Sequence, residues 1–253
     1  MGSYLDSRVG GVGPEEVPIG IPTASLKTSR STDRLGWSGW KLAVVLGIFL
    51  GVVLPLMPLI VWSVSHGWWF PQLLPQELSG RAWRYVFSSG SGVGDAFGNS
   101  MLISLLVCLL SLLLGVPAGR ALGLYRFRGK RFLEFIIFAP LIVPPLAVVM
   151  GIHVSFIRAG LVDTLPGVVI SHLIPALPYM VVVMKGVFTN YDPAYEQQAR
   201  SLGAGKYQTL IKVTLPLVYP GILTGALFVI LISWSQYVLT LLIGGGRVVT
   251  LPI

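Results

Sequence analysis

Ser233, Gln236 and Thr240 stand at i, i+3 and i+7 in the last apolar stretch of the sequence. On a helix that spacing puts three polar side chains on one face. Polar groups in such a setting face a bundle interior or a water-filled cavity, so these three, with Tyr237, are candidates to line a solute pathway. Hydrogen bonding between helices accounts for the same spacing equally well, and packing is the plainer role for Trp234 and Tyr237. His172 lies inside the fourth apolar stretch and His153 near the end of the third. A proton relay is one chemistry open to His172; a neutral, hydrogen-bonded histidine is the simpler one. Asn99, Ser100 and Ser104 read as helix–helix hydrogen-bonding groups. The one cysteine, Cys108, excludes a disulfide scaffold and reads as a small buried residue. No His/Cys/Asp/Glu group has metal-ligand spacing, so neither a metal ligand nor a catalytic residue is assigned.

These side chains need a scaffold, and the composition says of what kind. The 253 residues are 54% hydrophobic and only 11% charged, with a mean hydropathy of +0.78. Soluble domains carry about 25% charged residues, so the chain reads as a polytopic membrane protein. Residues 1–40 differ from the rest, being rich in Gly, Pro, Ser and Thr without helical or strand period. They are expected to be a disordered tail, and no apolar stretch lies close enough to Met1 for a signal peptide. Residues 41–253 form the membrane domain. Uncharged stretches cover residues 42–64, 96–119, 135–157, 164–184 and 213–246, and about 20 residues suffice to span a bilayer. The last exceeds one span, so its ends include interfacial or loop segments. The stretches are continuously apolar rather than alternating, which argues against a β-barrel. Helices remain, because lipid offers the backbone no partners. The expected fold class is all-α, with kinks at Pro140, Pro144 and Pro145 in the third span and at Pro166, Pro175 and Pro178 in the fourth.

The eighteen basic residues alternate along the chain: five in residues 1–41, five at 120–131 and four at 185–212, against Arg81 and Arg84, Arg158, and Arg247 in the intervening segments. The positive-inside rule places the N-terminus and the two basic loops in the cytoplasm. The net charge of +8 is then a topology signal, and no nucleic-acid partner is expected. The basic residues at 126–131 serve as a topology anchor and lipid-headgroup contact. Trp68, Trp69 and Phe70 fit an interfacial aromatic belt on the outer side.

The loop at 191–212 is more than a connection. Asp192 can cap a helix and Pro193 suits its first position, while Glu196 sits near the positive end of the helix dipole. Tyr195, Ala199 and Leu202 fall on one helical face. Gly203-Ala204-Gly205 ends that helix, and a second short one follows with Tyr207, Leu210 and Ile211 on one side. The result is a helix–Gly–helix lying under the membrane. Periodicity alone allows either an interfacial amphipathic loop or a docking helix for a cytoplasmic partner.

The stretch Glu196-Gln197-Gln198-Ala199-Arg200-Ser201-Leu202-Gly203-Ala204, then Val213-Thr214-Leu215-Pro216, closely resembles the EAA loop of binding-protein-dependent ABC importer permeases, the MetI-like superfamily. Gly203 fits the pattern's glycine, Ala199 its second alanine, Val213 its isoleucine, and Leu215-Pro216 its final pair. Gln197 stands where the family has Glu, Gln198 where it has the first Ala, and Glu196 supplies an acid one position early. Asn99-Ser100-Met101-Leu102 with Gly115-Val116-Pro117-Ala118-Gly119-Arg120-Ala121-Leu122, and Ala139-Pro140-Leu141-Ile142-Val143-Pro144-Pro145, resemble the second and third core helices. Ser233-Trp234-Ser235-Gln236-Tyr237 and Thr250-Leu251-Pro252-Ile253 most resemble the branch of spermidine/putrescine, thiamine, iron(III) and phosphonate permeases.

The resemblance implies a permease subunit that is not itself an enzyme, in a bacterial inner membrane, forming a pathway for a small polar solute. It implies an ATP-binding subunit in two copies, a second permease subunit, an extracytoplasmic solute-binding protein and the lipid bilayer as partners. The ATPase-coupling residues it implies are Glu196, Gln197, Ala199, Leu202, Gly203, Ala204, Leu215 and Pro216. ATP and magnesium belong to the partner ATPase. The sequence has no G-x-x-x-x-G-K-[ST] loop, since near Gly205-Lys206 Tyr207 replaces the Ser/Thr and Arg200 stands where a glycine is required. Family members usually continue to a sixth span after Thr-Leu-Pro, so the expectation is either a sixth span beyond Ile253 or a subunit that works with five. The alternative, a secondary transporter driven by an ion gradient, calls for an intramembrane acid or an inverted repeat. The five stretches hold no Asp, Glu, Lys or Arg.

Overall fold

The computed structural model describes residues 39–68, 77–88 and 90–253. The expectation for the tail, beyond Gly39 and Trp40, and the placement of Trp69 and Phe70 fall outside the described residues. The chain divides into two units, residues 1–59 and 60–253. In the first, α1 (Gly39–Val53) buries none of its residues and past Lys41 is apolar on every side, as suits a helix solvated by lipid. It ends in a 3-10 turn, Leu54–Leu56. Pro55 lacks an N–H and crowds the carbonyl four residues back, which favours that tighter turn. Then come α2 (Met57–Ser63), a two-residue antiparallel pair of β1 (Ser65–His66) with β2 (Glu77–Leu78), and α3 (Arg81–Val86).

The core of the second unit is built by α4 (Val93–Leu124), α7 (Leu165–Thr189) and α10 (Leu215–Trp234). Glycines bring α4 and α7 together. A Cβ at Gly115 would lie 2.5 Å from Met180 Cγ, one at Gly123 would lie 2.6 Å from Phe188 Cβ, and one at Gly119 would collide with Met184. The G-x3-G-x3-G stripe thus receives three large side chains at i, i+4 and i+8, the small-residue packing that lets membrane helices approach closely. Both series ascend together, so α4 and α7 run parallel. Gly221 meets Val187, and Gly225 meets Met180 Sδ (2.7 Å from its would-be Cβ). This pairing descends along α7, so α10 is antiparallel to it.

Two parallel neighbours require the intervening chain to return. It does so as α5 (Lys130–Ile142) and α6 (Pro145–Arg158), bent by 106°. The bend falls at Val143 (ψ 131°) and Pro144, because a residue before proline is pushed out of the helical region. Pro140, Pro175 and Pro178 instead lie inside unbroken helices. Among the described residues, four helical stretches are long and apolar enough to cross a membrane, and the α5–α6 pair makes a fifth if it counts as one span. The helices overrun the uncharged stretches. α4 includes Asp95 and Arg120, and α7 continues to Thr189.

The last span is corrected. The spacing of Ser233, Gln236 and Thr240 presumes one helix, but α10 ends at Trp234 and α11 runs Tyr237–Gly244. Gln236 (φ −80°, ψ 83°) lies between them outside the helical region. At the same end of the bundle, Asn99 and Ser100 hold the C-terminal segment instead of another helix. Asn99 Nδ2 donates to the Val249 carbonyl at 3.0 Å, and the Leu251 N–H donates to Ser100 Oγ at 2.9 Å. Ser104 bonds within its own helix, to the Met101 carbonyl.

Candidate functional site

The opposite end of the bundle gathers the C-termini of α4 and α7, the start of α10, and the loop between α7 and α10. There α8 (Ala194–Ser201) begins where the Ala194 N–H donates to Asp192 Oδ1 at 2.9 Å, the cap the sequence predicts. It ends in a Schellman motif. The Ala204 N–H reaches the Ala199 carbonyl and the Gly203 N–H the Arg200 carbonyl, both at 3.0 Å, with Gly203 at φ +88°. That left-handed position suits glycine because it has no Cβ to clash. A single turn, α9 (Lys206–Thr209), and a π-helical turn (Leu210–Thr214) lead into α10.

Glu196 is buried in this loop and holds its neighbours together. Arg120 Nη2 from α4 donates to both carboxylate oxygens, at 2.8 and 2.9 Å. Thr214, the last residue of the π-helical turn, donates to Oε1 at 2.9 Å, and the Tyr191 hydroxyl approaches it at 3.3 Å. Arg200 adds a looser contact at 3.7 Å. The Arg120 guanidinium sits over the Phe188 ring at 5.9 Å, and that ring meets Tyr191 edge-on at 5.8 Å. One carboxylate therefore ties α8 to α4, to Tyr191 two residues past α7, and to the base of α10. Burial opposes ionisation of Glu196. The Thr214 hydrogen bond and the Arg120 charge outweigh it and hold the carboxyl below its ordinary value. Burial pushes the Tyr191 phenol up, against its hydrogen bond with Thr214, and the Glu196 carboxylate adds to the rise. The phenol is thus a neutral donor at physiological pH.

The other coupling candidates point away from this latch. Leu202 is 89% exposed, Tyr207 74% and Tyr195 50%; Gln197, Gly203, Leu215 and Pro216 are exposed, and Ala199 and Ala204 half-buried. An element pinned by a buried ion pair thus exposes Tyr195, Leu202 and Tyr207 beside the polar Gln197, Gln198 and Arg200. Of the pathway candidates, Ser233 and Thr240 are buried within the chain on either side of His172. Its Nδ1 lies 3.0 Å from Ser233 Oγ and its Nε2 2.9 Å from Thr240 Oγ1. The Gln236 amide donates to the Ile232 carbonyl, and Tyr237 is exposed.

The sequence places Arg120 among the basic residues at 120–131 and in the stretch resembling the second core helix, and gives neither it nor Tyr191 and Thr214 a part in the site. Arg120 was findable as a cation that directly follows an uncharged stretch inside a continuing helix. Its pairing across 76 positions with Glu196 leaves no local signal.

A family model described as "Binding-protein-dependent transport system inner membrane component" matches residues 115–253, which contain the glycine stripe and every member of the latch. The chain belongs to that family. Among its relatives, the molybdate/tungstate transport system permease protein WtpB of Pyrococcus abyssi is 34% identical over 142 residues, covering 56% of this chain and 55% of that one. The trehalose transport system permease protein SugB of Mycobacterium tuberculosis is 28% identical over 170 residues, covering 67% of this chain and 62% of that one. The crystal structure of a bacterial ABC transporter involved in the import of the acidic polysaccharide alginate contains a similar chain. The TM-score is 0.63 at 26% identity, over 81% of this chain and 73% of that one. The chain spans about half the length of the curated relatives it matches. Family and apolar helices together make it a multi-pass inner-membrane protein with the all-α fold of ABC permeases. The relatives' names do not include the polyamine, thiamine, iron(III) and phosphonate branch that residues 233–237 and 250–253 resemble.

Proposed function

We propose that the chain is the permease subunit of an ATP-driven importer and that the 191–212 loop couples it to a separate ATPase. The observation that carries this reading is the pairing of exposed Tyr195, Leu202 and Tyr207 with a buried carboxylate that ties the same loop to α4 and to the base of α10. A short helix so tied moves as a rigid body and takes α4 and α10 with it when its outer face is pulled. Rocking these helices against a second permease subunit opens the solute pathway to each side in turn. ATP and magnesium reside on two copies of the ATPase, and an extracytoplasmic binding protein delivers the solute. The N-terminus and the α8 end of the bundle face the cytoplasm, as the distribution of basic residues supports. The relatives' names make molybdate or tungstate the first solutes to try. The chain is purified from its native membrane with whatever copurifies, and reconstituted in vesicles with its binding protein. Solute uptake that requires ATP is the expected result; uptake driven by an ion gradient without ATP overturns the proposal.

A further inference from the structure

The corner between α4 and α5 holds cations that no carboxylate among the described residues neutralises. Tyr125 leaves α4 in an extended conformation, and Gly129 (φ +87°) turns the chain into α5. Around this corner lies an open cleft of about 780 Å³, lined by Arg126, Lys130 and Arg131 and flanked by Lys185 of α7. One acid, Glu134, lines it too, but that carboxylate is taken by Lys185 at 2.7 Å. Among the described residues, Arg126, Lys130 and Arg131 have no carboxylate partner. Lys130 Nζ reaches only the Tyr125 carbonyl, at 3.3 Å. With Arg128, four like charges fall within six residues, and they repel one another unless an anion sits among them. The N-terminus of α5 adds to the positive field, since Gly129 offers no side chain to cap the first turn.

The surroundings say what kind of anion fits. A soluble anion calls for polar walls, yet Phe127 and Phe132 line the cleft and Phe132 and Phe135 are 69% and 66% exposed. The next turn of α5 is apolar as well. Lys185 directly follows Met184, which is buried in the core, so the cleft sits where the bundle meets its polar margin. Charge at the mouth and bare aromatics beside it match a phosphate that carries acyl chains.

We propose that this cleft binds the phosphate of an anionic phospholipid from the leaflet on the α8 side, with Arg126, Lys130 and Arg131 as its cationic ligands. That this leaflet is the cytoplasmic one rests on the proposed function; the binding does not.

The test is native mass spectrometry of the full chain, purified with its partners and released from vesicles of phosphatidylglycerol mixed with phosphatidylcholine of identical acyl chains. Expected is one retained phosphatidylglycerol per chain that millimolar inorganic phosphate does not displace. Arg126→Gln/Lys130→Gln/Arg131→Gln should lower that occupancy at least tenfold, while Arg81→Gln/Arg84→Gln leaves it unchanged. Glu134→Gln, which frees Lys185 without removing a cation, should hold the lipid as well or better and keeps the test decisive if the triple variant fails to fold. Retention by the folded triple variant, equal retention of phosphatidylcholine, displacement by inorganic phosphate, or loss of lipid in Glu134→Gln would each overturn the proposal. No arm requires ATP or transport, so failure of the importer reading is read separately.

Discussion

Glu196→Gln is the most informative single change. It keeps the size of the side chain and removes the charge that Arg120 grips with two hydrogen bonds. Charge-assisted hydrogen bonds contribute about 1.5–3 kcal/mol. The Glu196 side chain is 11% exposed and that of Arg120 27%, so solvent screening is partial and the lower half of that range is the better expectation. The bundle core does not depend on this pair, since α4, α7 and α10 interlock through Gly115, Gly119, Gly221 and Gly225. The loss should therefore appear as undocking of α8 rather than unfolding. One factor of ten corresponds to about 1.4 kcal/mol, so the opening equilibrium of α8 amides should rise about tenfold, and at most a hundredfold. Hydrogen exchange of residues 194–204 in a lipid environment reads this directly, with α7 amides as the unchanged internal control. Arg120→Met should give the same rise, and the double variant should add little to either, because both remove one interaction. Unchanged exchange in both single variants, or full additivity in the double, would refute the latch.

Acid should loosen the same latch. The folded carboxyl of Glu196 lies below its ordinary value of 4.5, so its contribution is complete above that value and is lost as pH falls through the lowered one. Exchange of α8 should therefore be flat from neutral to about pH 5, after correction for intrinsic rates, and rise below it; a rise already at pH 6–7 contradicts this. Gly203→Pro should abolish coupled transport while leaving membrane insertion intact, since proline cannot adopt φ +88° and loses the N–H of the Schellman motif. Gly203→Ala meets open space and should cost only about 1–2 kcal/mol of backbone strain, visible as a modest loss of transport. Gly119→Leu should lower the thermal stability of the bundle sharply, because even a Cβ there collides with Met184; a stable variant would refute the glycine stripe. His172→Leu should destabilise it by about 1–2 kcal/mol, as Ser233 and Thr240 lose their shared partner.

Much of the fold is legible in single stretches of sequence. Uncharged runs mark the helices, although Asp95 and Arg120 at the ends of one run hide how far α4 extends. Asp192-Pro193 and Gly203 announce both ends of α8, because caps and left-handed turns are local chemistry. The G-x3-G-x3-G pattern was present at 115–123 and could have been read as a helix-packing face. Other features lie beyond local pattern. The break after Trp234 carries no proline or glycine, and only the fold brings His172 between Ser233 and Thr240. The partners of Glu196 come from four segments of chain, and their charge and hydroxyl groups are ordinary until the fold assembles them.

The central claim is that the outer face of the 191–212 loop docks on an ATPase. A Leu202→Cys variant tests it most directly, because Leu202 is 89% exposed and the native Cys108 is buried. Crosslinking in the native membrane from residue 202, followed by mass spectrometry of the attached chain, should recover a nucleotide-binding subunit, and the yield should change when ATP is added. Recovery of lipid adducts alone, or of a chain without a phosphate-binding loop, would contradict the account.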